Sequence, residues 1–356
     1  MDALPSKRSR RTAGLGPSLD RDASAAGITW VRRVLSHDTA SSSDEDTPDR
    51  TAWEFIRCAL TDDRLTGLAL CEIALGLPAT ESQFAEVTKI HTVHTAFDLL
   101  AESVLGDIQQ LLAGTGIEWR LLKGLASAHL WYSSPDLRHT ADVDLLVHDS
   151  DFYRSIELLN SVGPLAVVHR GPASAQASNQ MTFVHPSGVE IDLHRWVTGF
   201  LPAYRIDERH SWEQPQTVQL AWGSASAMSA DMMALHVLLH LTCHSVRLSS
   251  VADLLQALCR DDVDWERVVA LSSGLGSRMP IWWAIDRATT WVDPVRVEQL
   301  MKLMRPNRPL EWAGNRVLDS PQARRLLFHV TSPRRTRRFI ESTRPSREFV
   351  DWKAGS

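Results

Sequence analysis

Residues Leu121–Phe152 read "LLKGLASAHLWYSSPDLRHTADVDLLVHDSDF". Asp142 and Asp144 stand two apart in an otherwise apolar run, downstream of a Lys123-Gly124 pair. Val143, Leu145 and Val147 fall on alternate positions, the period of a strand with one face against a core. The two aspartates therefore share the other face. Side-by-side carboxylates repel, in a segment that would gain more by burying valine or leucine there. A bound cation would resolve the conflict. The alternative is a solvent-exposed edge strand whose polar face carries two acids.

The rest of the chain bounds what such a site can serve. Its 356 residues, 44% hydrophobic, suffice for a sizeable core in roughly two to three domains. With 38 Lys+Arg against 43 Asp+Glu the net charge is -5, which argues against bulk nucleic acid and anionic membrane as partners. Cys58, Cys71, Cys243 and Cys259 form no CxxC pair, and a reducing cytoplasm suits them. The N-terminal stretch lacks an apolar core of signal-peptide length, and no run of apolar residues is long enough to span a membrane.

Composition and periodicity divide the chain. Residues 1–50 are rich in Ser, Arg, Asp, Pro and Ala, with one short apolar stretch, "ITWVRRVL", and read as a disordered N-terminal segment. Residues 51–114 are helical in spacing, with Thr47 or Asp49 as cap and Gly114 as stop. A mixed α/β core is expected over 115–215. It contains a strand at "IEWRLLK", a helix at "GLASAHLWYSS", the "ADVDLLVH" strand and a helix capped by Asp149 or Ser150 that ends at Gly163. A strand near "LAVVHR" follows, then a hairpin in "QMTFVHPSGVEIDLHRWV" turning at Pro186-Ser187-Gly188. Helical spacing returns over 228–318, and a basic tail occupies 319–356. The fold class is α+β, a mixed sheet flanked by helical regions.

In the second arm of the hairpin Glu190, Asp192 and His194 face away from Val189, Ile191 and Leu193. If the strands bearing Asp142/Asp144 and Asp192 are neighbours, three carboxylates meet at a spacing suited to one or two Mg²⁺ ions, with Mn²⁺ as the alternative. Phosphoryl and nucleotidyl transfer need that arrangement, because metals bridge phosphate oxygens and neutralise developing charge. Asp192 is the candidate general base or second-metal ligand. Gly124, at a strand-to-helix junction, would let backbone N–H groups face a triphosphate.

These motifs together, "LLKGLASAHLWYSSPDLRHTADVDLLV" and "GVEIDLHRWV", resemble the nucleotidyltransferase superfamily with its polymerase-beta-like core. The nearer likeness is to the bacterial uncharacterised nucleotidyltransferase-like group, with its Lys-Gly turn, preceding Arg, Asp-x-Asp and Asp-Leu-His; it covers about residues 115–260. The resemblance implies metal ligands and catalytic carboxylates at Asp142, Asp144 and Asp192, and nucleotide contacts at Lys123, Gly124 and Arg138. It implies transfer of a nucleoside monophosphate from an NTP to a hydroxyl or phosphate acceptor, a small metabolite or a protein, with release of pyrophosphate. The common superfamily turn is Gly-Gly or Gly-Ser, so Lys123 before a single glycine is a departure. The rival readings are a non-catalytic nucleotide-binding or interaction module and a metal-dependent phosphoester hydrolase.

Other residues admit two roles each. Lys123 either neutralises a phosphate or pairs with a surface acid; Arg138 either holds a phosphate or an acidic substrate, or is likewise structural; His194 is either metal-adjacent or structural. His236, His240 and His244 are four apart on one helical stripe and read as core or groove histidines rather than a zinc site. Arg247 and Asp253 suit a buried ion pair joining the helical and catalytic regions. From the repulsion argument, Asp142→Asn and Asp144→Asn should each abolish metal-dependent activity and leave the fold intact or more stable. Thermal melts with and without Mg²⁺ and NTP check this.

Overall fold

A computed structural model describes residues 21–36, 47–161, 166–168, 180–198, 206–242 and 247–305. Helix α1 (Arg21–Ser36) contains "ITWVRRVL", and its Trp30, Val31, Val34 and Leu35 are buried. That spacing is the apolar stripe of an amphipathic helix. Trp30 donates its indole N–H to the Pro78 carbonyl at 3.0 Å and meets Trp53 edge to face. This part of the segment expected to be disordered is thus folded onto the core. Its polar flanks hid a stripe that is stable only against a partner surface; residues 1–20 and 37–46 lie outside the described residues.

Helix α2 (Arg50–Asp62) starts at Asp49, whose carboxylate accepts from the Thr51 and Ala52 amides. Helix α3 (Thr66–Ala74) follows, and then α4 (Glu81–Leu112) opens with a capping box in which Thr80 and Gln83 satisfy each other's backbone.

The period then changes from helical to alternating, and a seven-stranded sheet begins. Its parts are β1 (Trp119–Leu121), α5 (Lys123–Trp131), β2 (Val143–Val147), α6 (Phe152–Ser161), β3 (Ala166–Val168), β4 (Gln180–Val184) and β5 (Glu190–His194). Beyond α7 (Glu208–Trp212) come β6 (Gln216–Leu220) and β7 (Gly223–Ala227). The spatial order is β3-β4-β5-β2-β1-β7-β6. The sheet therefore runs past residue 215, where the core was expected to end. In β6 and β7 only Val218, Ala225 and Ala227 are buried, too sparse an apolar signal to read as strands. Asp149–Asp151 form a single 3₁₀ turn before α6 instead of capping it, and Gly163 lies outside the described residues. The hairpin turn at Pro186–Gly188 is present, with Gly188 in the left-handed region at φ 89.

Strand β2 is central, not an edge. It pairs antiparallel with β1 and parallel with β5, and all five of its residues are buried. A strand covered on both faces has no solvated side on which to place an acid. The exposed-edge reading of Asp144 is thereby excluded.

Helices α8 (Ala230–Leu241), α9 (Leu248–Leu258), α10 (Trp265–Leu275), α11 (Arg278–Ala288) and α12 (Pro294–Met304) complete the chain as described. One hydrophobic cluster runs from Trp30 through the sheet to Met304, so the helical flanks and the sheet share a core. The fold is α+β, a mixed sheet with helices before and after it. Among the described residues no helix is long and apolar enough to cross a membrane. The basic tail expected at 319–356 lies outside the described residues. Trp30→Ala should lower unfolding free energy by about 3 kcal/mol, the scale of a large buried aromatic lost from a core. Urea denaturation measures it, and a negligible loss would detach α1 from the core.

Candidate active site

Because β2 and β5 run parallel in the register Asp144↔Asp192, the two carboxylates sit on adjacent strands, side by side on one face. His194, two residues beyond Asp192, shares that face. Asp144, Asp192 and His194 are all buried, and one ligand atom from each lies within 4.8 Å of the others. Among the described residues this is the group of three such side chains whose ligand atoms lie close enough together to hold one metal ion. Asp142 stands just before β2, half-buried, outside that trio. Thr182 of β4, which faces Asp192 across the antiparallel ladder, donates its hydroxyl to Asp192 Oδ1 at 2.5 Å.

Asp144 draws its compensation from two directions. Lys123 Nζ lies 3.1 Å and His194 Nε2 2.9 Å from its Oδ1, while Oδ2 is buried without a hydrogen-bond partner. A carboxylate only accepts, so the His194 proton resides on Nε2 in this arrangement. Burial pulls the Lys123 amine down, but the carboxylates of Asp144, Asp142 and Asp192 outweigh it and hold the amine above an ordinary lysine. The ammonium is therefore charged. Of the two roles open to Lys123, its partner in this structure is an acid, and a buried one.

The turn that presents Lys123 is unusual. Lys123 has φ 24, and Gly124 has φ 22 and ψ -97, so the chain leaves helical geometry at the first residues of α5. The Leu122 amide donates to the Asp144 carbonyl at 3.0 Å, tying the turn to β2. A Cβ on Gly124 would meet Thr140 Oγ1 at 2.8 Å. That hydroxyl in turn donates to the Asp142 carbonyl at 2.7 Å. Gly124 thus permits the close approach of the Lys-Gly turn to the loop that delivers Asp142 and Asp144.

The same loop is held by side chains the sequence did not single out. Asp98 of α4 accepts from the Thr140 amide at 2.8 Å and pairs with His139 Nδ1 at 2.5 Å; His139 Nε2 lies 2.9 Å from His91 Nδ1. No local pattern marks Asp98, because its partners are distant in the chain. Arg138 is engaged on the other side: its Nε and Nη2 reach the two oxygens of Asp253 at 2.9 and 3.1 Å, and Tyr132 donates to Oδ1 at 2.9 Å. An ion pair does join the α9 region to the sheet, and its members are Asp253 and Arg138. A phosphate drawn to Arg138 would compete with this buried carboxylate.

His236 of α8 is buried behind the site. Burial pushes its pKa well below that of an ordinary histidine, and Lys123 and His194 push it further down. It is a neutral core imidazole, edge-on to His240; His244 lies outside the described residues.

Two carboxylates on adjacent strands, one oxygen of which is buried and unclaimed, suit a divalent cation with oxygen preference such as Mg²⁺ or Mn²⁺. His194 would ligate through Nε2 only in the tautomer that carries its proton on Nδ1. Such an ion would share the Asp144 carboxylate with the Lys123 ammonium.

The family described as "Uncharacterised nucleotidyltransferase" matches the chain over residues 50–293. Among solved structures, an antigenic nucleotidyltransferase-like protein from Paracoccidioides brasiliensis matches with a TM-score of 0.36 and 14% identity, over 58% of this chain and 93% of that one. No curated protein matches.

The pairing of Asp144 corrects the expectation that neutralising it would relieve the fold. Its charge is already compensated, so Asp144→Asn takes the counter-charge from the Lys123 ammonium and should destabilise by about 1–3 kcal/mol. Urea melts without metal test this, and a variant as stable as wild type would restore the repulsion argument.

Proposed function

The chain belongs to this uncharacterised nucleotidyltransferase family, and from that premise we propose that it transfers a nucleoside monophosphate from an NTP to a hydroxyl or phosphate acceptor, releasing pyrophosphate. The observation that carries the reading is the convergence of Asp144, Asp192 and Lys123 where the Lys-Gly turn meets neighbouring parallel strands. Asp142, Asp144 and Asp192 are the proposed catalytic and metal-binding carboxylates. A bound Mg²⁺ or Mn²⁺ would supply charge neutralisation at the phosphate oxygens.

The chain's own groups have distinct tasks in this reading. Asp144 and Asp192 hold negative charge fixed by the strand register, so the two carboxylates themselves need not move when the triphosphate arrives. Thr182 orients Asp192, whose carboxylate would take the acceptor's proton. Lys123 offers its ammonium as a point charge to a phosphate, and Gly124 keeps that turn free of a side chain. Arg138 would add a second phosphate contact by exchanging Asp253 for the nucleotide.

The acceptor class is a small metabolite or a protein side chain. The net charge of -5 disfavours bulk nucleic acid, and no membrane partner is invoked. Free thiols at Cys58, Cys71 and Cys259 agree with the cytoplasm as the working compartment.

Labelled NTPs incubated with candidate acceptors and Mg²⁺ or Mn²⁺ test the proposal. Wild type should release pyrophosphate, and Asp192→Asn should lower turnover at least about a hundredfold, the scale of losing a positioned general base. Release of inorganic phosphate would identify a phosphoester hydrolase instead. NTP binding without turnover on any acceptor would identify a non-catalytic module.

A further inference from the structure

We propose that Lys123 is an exchangeable internal cation: its ammonium holds the Asp144 carboxylate in the absence of metal and moves to the nucleotide's phosphate when a divalent ion enters. This rests on the nucleotide-transfer reading for the destination of the ammonium, though not for its starting place.

The geometry supplies the argument. Lys123 Nζ is 3.1 Å from Asp144 Oδ1, and Asp144 is one of three groups whose ligand atoms cluster within 4.8 Å. Two cations sharing one buried carboxylate repel each other, so a divalent ion arriving alone would drive the ammonium from Asp144 towards Asp142 and Asp192, carboxylates that the ion itself would draw on. A triphosphate arriving with the ion provides an anion for which the two do not compete. The exchange is sterically feasible because Lys123 is a long, flexible side chain with 22% of its surface exposed, whereas Asp144 is fixed in a central strand. Gly124 beside it lacks the Cβ that would press on Thr140, so the turn that carries Lys123 sits against the loop bearing Asp142 without a clash.

Linkage then requires that metal and nucleotide bind with positive coupling, and that the coupling pass through Lys123. A site arranged this way resists occupation by free metal and fills with the metal-nucleotide pair. Lys123 is in this sense a positioning residue and a discriminator between metal alone and metal with substrate.

The test is Mn²⁺ binding by electron paramagnetic resonance on the full chain, with Mn²⁺ alone and with a non-hydrolysable triphosphate analogue. Wild type should bind Mn²⁺ weakly and gain about tenfold in affinity with the analogue, a coupling of ordinary size. Lys123→Met should bind Mn²⁺ alone about tenfold more tightly than wild type and gain little more from the analogue. Lys123→Gln, a shorter polar side chain without charge, should behave alike, with circular dichroism confirming the fold of both. On wild type itself, Mn²⁺ should speed acetylation of the Lys123 amine, read by peptide mass spectrometry. Variants that bind Mn²⁺ no more tightly than wild type, or labelling that Mn²⁺ leaves unchanged or slows, would overturn the proposal. If the analogue fails to bind wild type, the nucleotide-transfer reading falls, while the comparison with Mn²⁺ alone still decides where the ammonium sits.

Discussion

Asp144 and Asp192 face the same way from neighbouring parallel strands, and burial there makes their like charge expensive unless something answers it. The surrounding structure can be read as that answer. Lys123 and His194 reach one oxygen of Asp144, and Thr182 reaches Asp192. Each of these partners arrives from a different element: the turn after β1, the end of β5, and the middle of β4. The strand order places all three beside one pair of acids, because β2 lies between β1 and β5, and β4 borders β5.

The helical flanks serve this arrangement as much as they enlarge the core. The loop from Arg138 to Asp142 has no ladder to hold it, and its polar groups must find partners elsewhere. Asp98 from the long helix α4 takes His139 and the Thr140 amide. Asp253 from α9 takes Arg138 and Tyr132. The loop is thereby clamped from both sides just before the residue that starts β2. Removing one member of such a buried pair leaves a charge without compensation, a loss of about 3–5 kcal/mol in well-studied cases. A site with so many buried charges is therefore sensitive to its scaffold.

Buried charge at this density also separates stability from chemistry. The Lys123 ammonium stabilises the buried carboxylate of Asp144, so the contact that holds this part of the fold together engages one of the site's own acids. The strained Lys-Gly turn belongs to the same economy: backbone in the left-handed region persists where surrounding contacts over-determine it, here the Leu122 amide on Asp144 and the contact of Gly124 with Thr140.

The sequence by itself determined strands β1 to β5 and the polarity of the faces of β2 and β5. Alternation in "ADVDLLVH" and "GVEIDLH" is a local property of a pleated backbone, so Asp144, Asp192 and His194 could be assigned to faces before any partner was known. The turn formers at Pro186–Gly188 likewise set the β4–β5 hairpin within a few residues. What tertiary structure alone decided was register and company. The Asp144↔Asp192 pairing depends on two strands separated by a helix and two further strands, and no local pattern encodes it. The same holds for Asp98 and Asp253, whose partners lie 41 and 115 residues away along the chain. It holds for α1 too, where an apolar stripe in a polar segment became a helix because the core offered a surface to cover Trp30, Val31, Val34 and Leu35. Periodicity reports what one element will bury; only the packed chain reports against what, because long-range pairing is settled by the sum of all the surfaces at once.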